Sequence, residues 1–175
     1  MVRVSQERDE FRAAFRTLFD AHFHRILRYL DRMSGDPDLA ADLAQEAFVR
    51  LYRRGAVPDS PEAWLITVAM NLFRNARTTR SRRVRLLATR PGGRWQADPP
   101  ASPSRGLEAD RERRRVRAAL DRLPERQRDL LLLRAEGYSY RDLARALDLN
   151  EASVGKLLQR AREGFRATYE ESGDA

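Results

Sequence analysis

Apolar residues recur at three- and four-residue spacing along almost the whole chain, and no stretch alternates apolar with polar in the manner of a half-buried strand. That periodicity restricts the chain to helices. From Phe11 the series runs Phe11, Phe15, Leu18, Phe19, Phe23, Ile26, Leu27, Leu30, which predicts a long helix with one buried face. Ser34-Gly35-Asp36-Pro37 ends it, with Asp36 placed to cap the next helix and Pro37 at its first position. Two adjacent ridges, Leu39-Leu43-Ala47-Leu51 and Ala40-Ala44-Phe48-Tyr52, form the expected core face of the second helix. After a loop through Gly55 and Pro58, Ser60-Pro61-Glu62 opens a third helix. Its inward side is expected to hold Trp64, Leu65, Val68, Ala69, Leu72 and Phe73.

Composition then changes abruptly. Between Arg77 and Arg94 every charge is positive, and Pro91 to Gly106 gathers proline, glycine and serine with little apolar content. Such a segment cannot bury enough surface to fold alone, and it reads as a flexible linker. The expected fold class is therefore all-α, with two small helical domains at 1–86 and 107–170, a linker at 87–106 and a tail at 171–175. In the second domain a helix from Leu107 to Leu123 faces inward through Val116, Ala119 and Leu120. Pro124 restarts the chain, Leu130 to Leu133 mark the next helix, and Gly137 ends it in the left-handed conformation.

The stretch from Ser139 to Phe165 has a mechanical logic. Ser139-Tyr140-Arg141-Asp142 reads as a capping box, with Asp in place of the usual Glu. A short helix to Leu147 packs through Leu143, Ala144 and Leu147, and a tight turn at Asp148-Leu149-Asn150 launches a second helix at a steep angle. Asn150 caps that helix, and Val154, Leu157, Leu158, Ala161 and Phe165 form its inner face. The pair is a helix-turn-helix, a device that carries its second helix into the major groove of duplex DNA. Tyr140, Arg141, Glu151, Ser153, Lys156, Gln159 and Arg160 lie outside the core stripe and are the candidate DNA contacts.

Charge agrees with a polyanionic partner: the formal net charge is +8 and the isoelectric point about 10.8. Nearly all the cations are arginine, Lys156 being the single lysine. There is no cysteine, so disulfides and thiolate zinc sites are excluded, and His22 and His24 fall on different faces of a helix with nothing to complete a metal site. No Ser/His/Asp, Cys/His or paired-carboxylate arrangement and no glycine-rich phosphate loop suggests an enzyme or a cofactor. The N-terminal residues lack the apolar core of a signal peptide, and no apolar run approaches the roughly 20 residues that span a bilayer. A cytoplasmic protein without membrane insertion is expected.

The first domain asks for other partners. On the second helix Asp42, Gln45, Glu46, Val49 and Arg50 lie opposite the core stripe, and from the residues alone they read as a solvated face. On the third helix Asn71 and Arg74 sit one turn apart and lead into Arg77, Arg80, Arg82 and Arg83. Cations that track phosphates and an amide that reads a splayed base would suit an unpaired strand; an ordinary basic helix end would look the same.

Together these motifs resemble the extracytoplasmic-function group of bacterial RNA polymerase sigma factors, over nearly the whole chain. DLAQEAFVRLYRR (42–54) is similar to the group's polymerase-binding helix, and AWLITVAMNLFRNARTTRSRR (63–83) to its minus-ten segment. LPERQRDLLLLRAEGYSYRDLARALDL (123–149) resembles its fourth conserved region. The resemblance implies that Asp42, Gln45 and Glu46 help dock on core RNA polymerase, which reverses the solvated-face reading. It further implies that Asn71 lies at the pocket for a flipped minus-ten base of the melted strand, that the last helix reads the minus-thirty-five element as duplex, and that an anti-sigma factor is a candidate partner.

Two positions depart from the group's pattern. Asn75 stands where aspartate is usual, and Gly155 stands at the usual phosphate-binding lysine, with Lys156 displaced by one residue, about 100° around the helix. The alternative reading is a stand-alone helix-turn-helix regulator that senses a signal through its N-terminal half. Such a protein would have no need of the Asp42-Gln45-Glu46 face or of the basic run to Arg94.

Overall fold

In the structure, a computed structural model that describes residues 2–88 and 107–171, with side chains at 6–82 and 108–171, every regular element among the described residues is an α-helix. The chain forms two compact units, Met1–Pro100 and Ala101–Ala175. Of the expected linker, 89–106 lie outside the described residues; 87 and 88 continue the third helix.

The first unit contains α1 (Val2–Ser34), α2 (Pro37–Arg54) and α3 (Pro61–Ala88). The α1–α2 corner forms as expected: the Asp36 side chain accepts from the Leu39 N–H at 3.1 Å, and Pro37 opens the helix. Gly55 closes α2 with φ of 71°, a left-handed position that a Cβ would strain. Ile26, Tyr29, Leu30, Ala40, Ala44, Leu51, Leu65, Ile66 and Ala69 are completely buried where the three helices meet. Each large aliphatic among them contributes about 2 kcal/mol by leaving water.

The face of α1 is buried unevenly. Its C-terminal half is core, whereas Phe11, Phe15 and Phe23 are half-buried and Phe19 is 36% exposed. These rings pack on Phe48 and Tyr52 of α2, with Phe19 and Phe48 5.1 Å apart and Phe15 and Tyr52 5.3 Å apart. Tyr52 was expected in the core but is 50% exposed, because it sits at the edge of the α1–α2 seam. Trp64 is likewise only half-buried, with the Arg54 guanidinium 6.0 Å from its ring. His22 is buried, its Nε2 3.6 Å from Glu62, and no cluster of metal-ligating side chains occurs among the described residues.

The second unit contains α4 (Leu107–Asp121), α5 (Glu125–Ala135), α6 (Tyr140–Ala146) and α7 (Glu151–Glu171). Leu120, Leu123, Leu130, Leu133, Tyr138, Leu143, Val154 and Leu158 form its core. Its periphery is held by charged groups. Arg128 is buried and pairs with Asp121 at 3.1 Å, and Arg122 pairs with Glu171 at 2.7 Å. The Arg115 guanidinium lies 4.0 Å over the Tyr169 ring and donates to the Tyr169 carbonyl at 3.1 Å. The Tyr169 phenol donates to Glu112, and that hydrogen bond holds the phenol above its ordinary range.

Candidate nucleic-acid interface

The α6–α7 pair is built by local signals that agree with one another. The Ser139 hydroxyl accepts from the Asp142 N–H at 3.1 Å while Asp142 accepts from the Ser139 N–H at 2.9 Å, so the capping box is complete. Gly137, at φ of 84°, turns the chain from α5 into this box. At the far end of α6 the Leu149 N–H donates to the Ala144 carbonyl at 2.8 Å, and Asp148 takes a left-handed φ of 52° without being glycine. Asn150 then caps α7 by accepting from the Ala152 N–H at 2.9 Å. Leu143, Ala144 and Leu147 are buried on α6, as are Val154, Leu158 and Ala161 on α7. The small side chain of Ala144 permits the close helix approach.

This geometry leaves Glu151, Ser153, Lys156, Gln159 and Arg160 exposed on α7, with Tyr140 and Arg141 exposed at the start of α6. The side chains are not equivalent. Arg141 lies 3.8 Å from Glu151, which tempers its charge, and the Gln159 amide donates to Glu163 at 3.0 Å. Lys156 and Arg160 stand out on the solvent side with the same orientation along the helix, four residues apart. Gly155 lies on the flank that meets α6: a Cβ there would come 3.6 Å from Cε2 of Tyr140, an ordinary contact. Packing therefore does not demand glycine at this position.

Two arginines that the sequence pattern does not single out hold this assembly in shape. Arg126 of α5 donates to the Leu147 carbonyl at 2.9 Å, satisfying the end of α6. Arg134 donates to the Tyr138 carbonyl at 2.9 Å, and its guanidinium is 5.5 Å from the Tyr140 ring. A basic residue in the last turn of α5 was a visible signal for Arg134. Its meeting with Tyr140 across the intervening turn was not visible.

The first unit carries two further surfaces. On α2, Asp42, Gln45 and Arg50 are exposed and Glu46 and Val49 partly so, with Arg50 Nε donating to Glu46 at 2.9 Å. On α3, Asn71, Arg74, Arg77, Arg80 and Arg82 are exposed, while the side chain of Arg83 lies outside the described residues. The buried side of this helix is Ala63, Leu65, Ile66, Ala69, Met70, Leu72 and Phe73, so Asn71 and Arg74 stand on a packed base, whereas Arg77, Arg80 and Arg82 lie further along, where residues 77–82 are all exposed.

Comparison with known proteins gives these surfaces a context. The family described as Sigma-70 region 2 matches residues 18–83, and Sigma-70, region 4 matches residues 113–163. The chain is 34% identical over 139 residues to the ECF RNA polymerase sigma factor EcfG of Rhodopseudomonas palustris, covering 77% of this chain and 74% of that protein. It is 32% identical over 149 residues to the ECF RNA polymerase sigma factor SigE of Mycolicibacterium smegmatis, covering 83% of this chain but only 57% of SigE. In fold it is similar to the sigma factor RpoE of Bartonella quintana, crystallised with the anti-sigma factor NepR. The TM-score is 0.63 at 21% identity, over 90% of this chain and 97% of that one.

Proposed function

The chain belongs to the extracytoplasmic-function group of RNA polymerase sigma factors, and from that premise we propose how its surfaces divide the work of promoter recognition. It is a sigma factor that binds core RNA polymerase and directs it to promoters for the initiation of transcription. The domain at 1–86 docks on core polymerase through Asp42, Gln45, Glu46, Val49 and Arg50. It engages the melted minus-ten strand through Asn71 and the arginines at 74, 77, 80, 82 and 83. The domain at 107–170 reads the minus-thirty-five duplex with α7, to which Ser153, Lys156, Gln159 and Arg160 belong, while Tyr140, Arg141 and Glu151 stand at its flank. Residues 87–106 tether the two.

One observation carries this reading: a carboxamide-and-arginine stripe on one long helix and a capped helix-turn-helix occur in one chain, within the stretches that match regions 2 and 4. A stand-alone regulator leaves the match of residues 18–83 without a purpose. The protein is an initiation factor, and in this reading it contributes no bond-making step of its own and needs no cofactor or metal. It works in the cytoplasm, where polymerase meets the chromosome; among the described residues no helix is long and apolar enough to cross a membrane. An anti-sigma factor belongs among its partners in this reading, as NepR does for RpoE.

The test is reconstituted transcription with purified core polymerase on promoters selected from a randomised pool. Transcripts should depend on this protein, and it should co-purify with core polymerase. Initiation independent of it, together with no association with core polymerase, would defeat the assignment.

A further inference from the structure

His22 is a buried titratable group with no part in that division of work. It is 6% exposed, and charged side chains face its ring from two elements. Nη1 of Arg25, one turn further along α1, lies 3.5 Å from Nδ1, and Oε1 of Glu62, in the first turn of α3, lies 3.6 Å from Nε2. The α2 side chain at this level is the uncharged Phe48, 5.7 Å from the neighbouring Phe23.

These neighbours fix the state of the ring. A guanidinium has donors and no acceptor, so the nitrogen turned towards it must keep its lone pair; a carboxylate only accepts, so the nitrogen turned towards it must carry the proton. The neutral imidazole with hydrogen on Nε2 satisfies both. A second proton has one place to go, Nδ1, where it would point at a cation 3.5 Å away in a site nearly closed to water. Arg25 is only half-buried, so it can swing outward when the ring becomes charged. The imidazolium then keeps Glu62 as a full ion pair, at a helix start where the dipole stabilises a negative side chain. We propose that His22 is a proton-operated switch at the α1–α3 junction: neutral, it joins Arg25 to Glu62; charged, it releases Arg25 and ties α1 to the head of α3. The switch stands on this geometry and does not depend on the promoter roles assigned above.

The sign of its effect follows from the same contacts. Burial and Arg25 oppose the charged ring, while the Glu62 side chain that favours it is 36% exposed and screened by water. The folded chain therefore takes up this proton less readily than the unfolded chain, in which an imidazole titrates at about 6.5. The stability contributed by the neutral ring is complete above that pH and is lost as pH falls below it.

The experiment uses the full chain with isotope-labelled histidine rings, followed by NMR from about pH 8 to about pH 5.5, where most carboxylates remain ionised. At the alkaline end His22 should carry its proton on Nε2; a proton on Nδ1 overturns the proposal, and this result needs no variant. Arg25→Gln should let the ring charge about one pH unit higher, a tenfold easier protonation, and Glu62→Gln should make protonation harder. An Arg25→Gln titration that superimposes on that of the parent overturns the switch. So does a ring that stays neutral to the acid end in both proteins. His22→Gln, an amide that cannot titrate, should remove the loss of stability that the parent shows in denaturant unfolding as pH falls across this range. A loss that survives the change belongs to other groups and overturns the switch as well.

Discussion

The helix-turn-helix of α6 and α7 and the outer stripe of α3, the two surfaces proposed to meet nucleic acid, both expose amides and cations, yet they are held in opposite ways. The stripe is one side of a single long helix whose other side is packed as far as Phe73, by Leu65, Ile66, Ala69, Leu72 and Phe73, while residues 77–82 are exposed on every side. Its spacing is the spacing of the α-helix itself. The helix-turn-helix places its contacts by the angle between two helices, and that angle depends on a capping box, a left-handed Asp148, the Arg126 bond to Leu147 and a few buried side chains. One grip is a property of secondary structure and the other of packing. They should therefore fail differently.

The largest effect should come from the α2 surface proposed to dock on core polymerase. Replacing Asp42, Gln45 and Glu46 together by Ala should weaken binding to core polymerase about a hundredfold or more, as a lost interface centre does, with the unfolding temperature unchanged. Equilibrium binding to labelled core polymerase measures it, and unaltered affinity would remove α2 from the docking role. Next comes Leu158→Ala, which opens a cavity at a completely buried site and should cost about 2–5 kcal/mol in denaturant unfolding. Duplex binding should fall with it while single-strand binding by holoenzyme persists. Loss of both would mean that the two grips are not independent.

Ser139→Ala removes one half of the capping box and should cost about 1 kcal/mol, with a matching loss of duplex affinity. No such single cap supports the α3 stripe. Gly155→Ala should do the reverse, stabilising the protein by up to about 1 kcal/mol, since the added methyl meets Tyr140 at 3.6 Å without crowding. A drop in melting temperature would show that α7 needs glycine beside Tyr140. The smallest effect concerns pH. The hydrogen bond from Tyr169 to Glu112 raises the phenol's folded-state pKa above the ordinary 10.0, so its stabilisation is complete below that value and fades as pH rises through the raised one. Tyr169→Phe should flatten that alkaline limb of a stability profile, and an unchanged limb would mean the bond does not persist in solution.

Much of this molecule was legible before any coordinates. Asp36-Pro37, Gly55, Gly137, Ser139-Asp142 and Asn150 all do what their positions suggest, because caps and turns involve residues within about four of one another. The exposed face of α7 came from the same arithmetic. The α2 surface was not legible in this way: Asp42, Gln45 and Glu46 look like any solvated face, and only resemblance gave them a partner. Phe19 and Tyr52 misled, since periodicity says which side of a helix is apolar but not how much of that side a neighbour covers.

The sequence alone therefore determined that the chain is helical, where most helices begin and end, and that one pair of them forms a helix-turn-helix. Those properties are written in contacts short along the chain. Tertiary structure alone decided the rest. It buried Arg128 against Asp121 and laid Arg115 over Tyr169, 54 residues away. It brought Arg134 to Tyr140 and paired Arg141 with Glu151. Which polar groups are consumed by the fold and which are left over depends on where distant segments meet, and no local pattern encodes that.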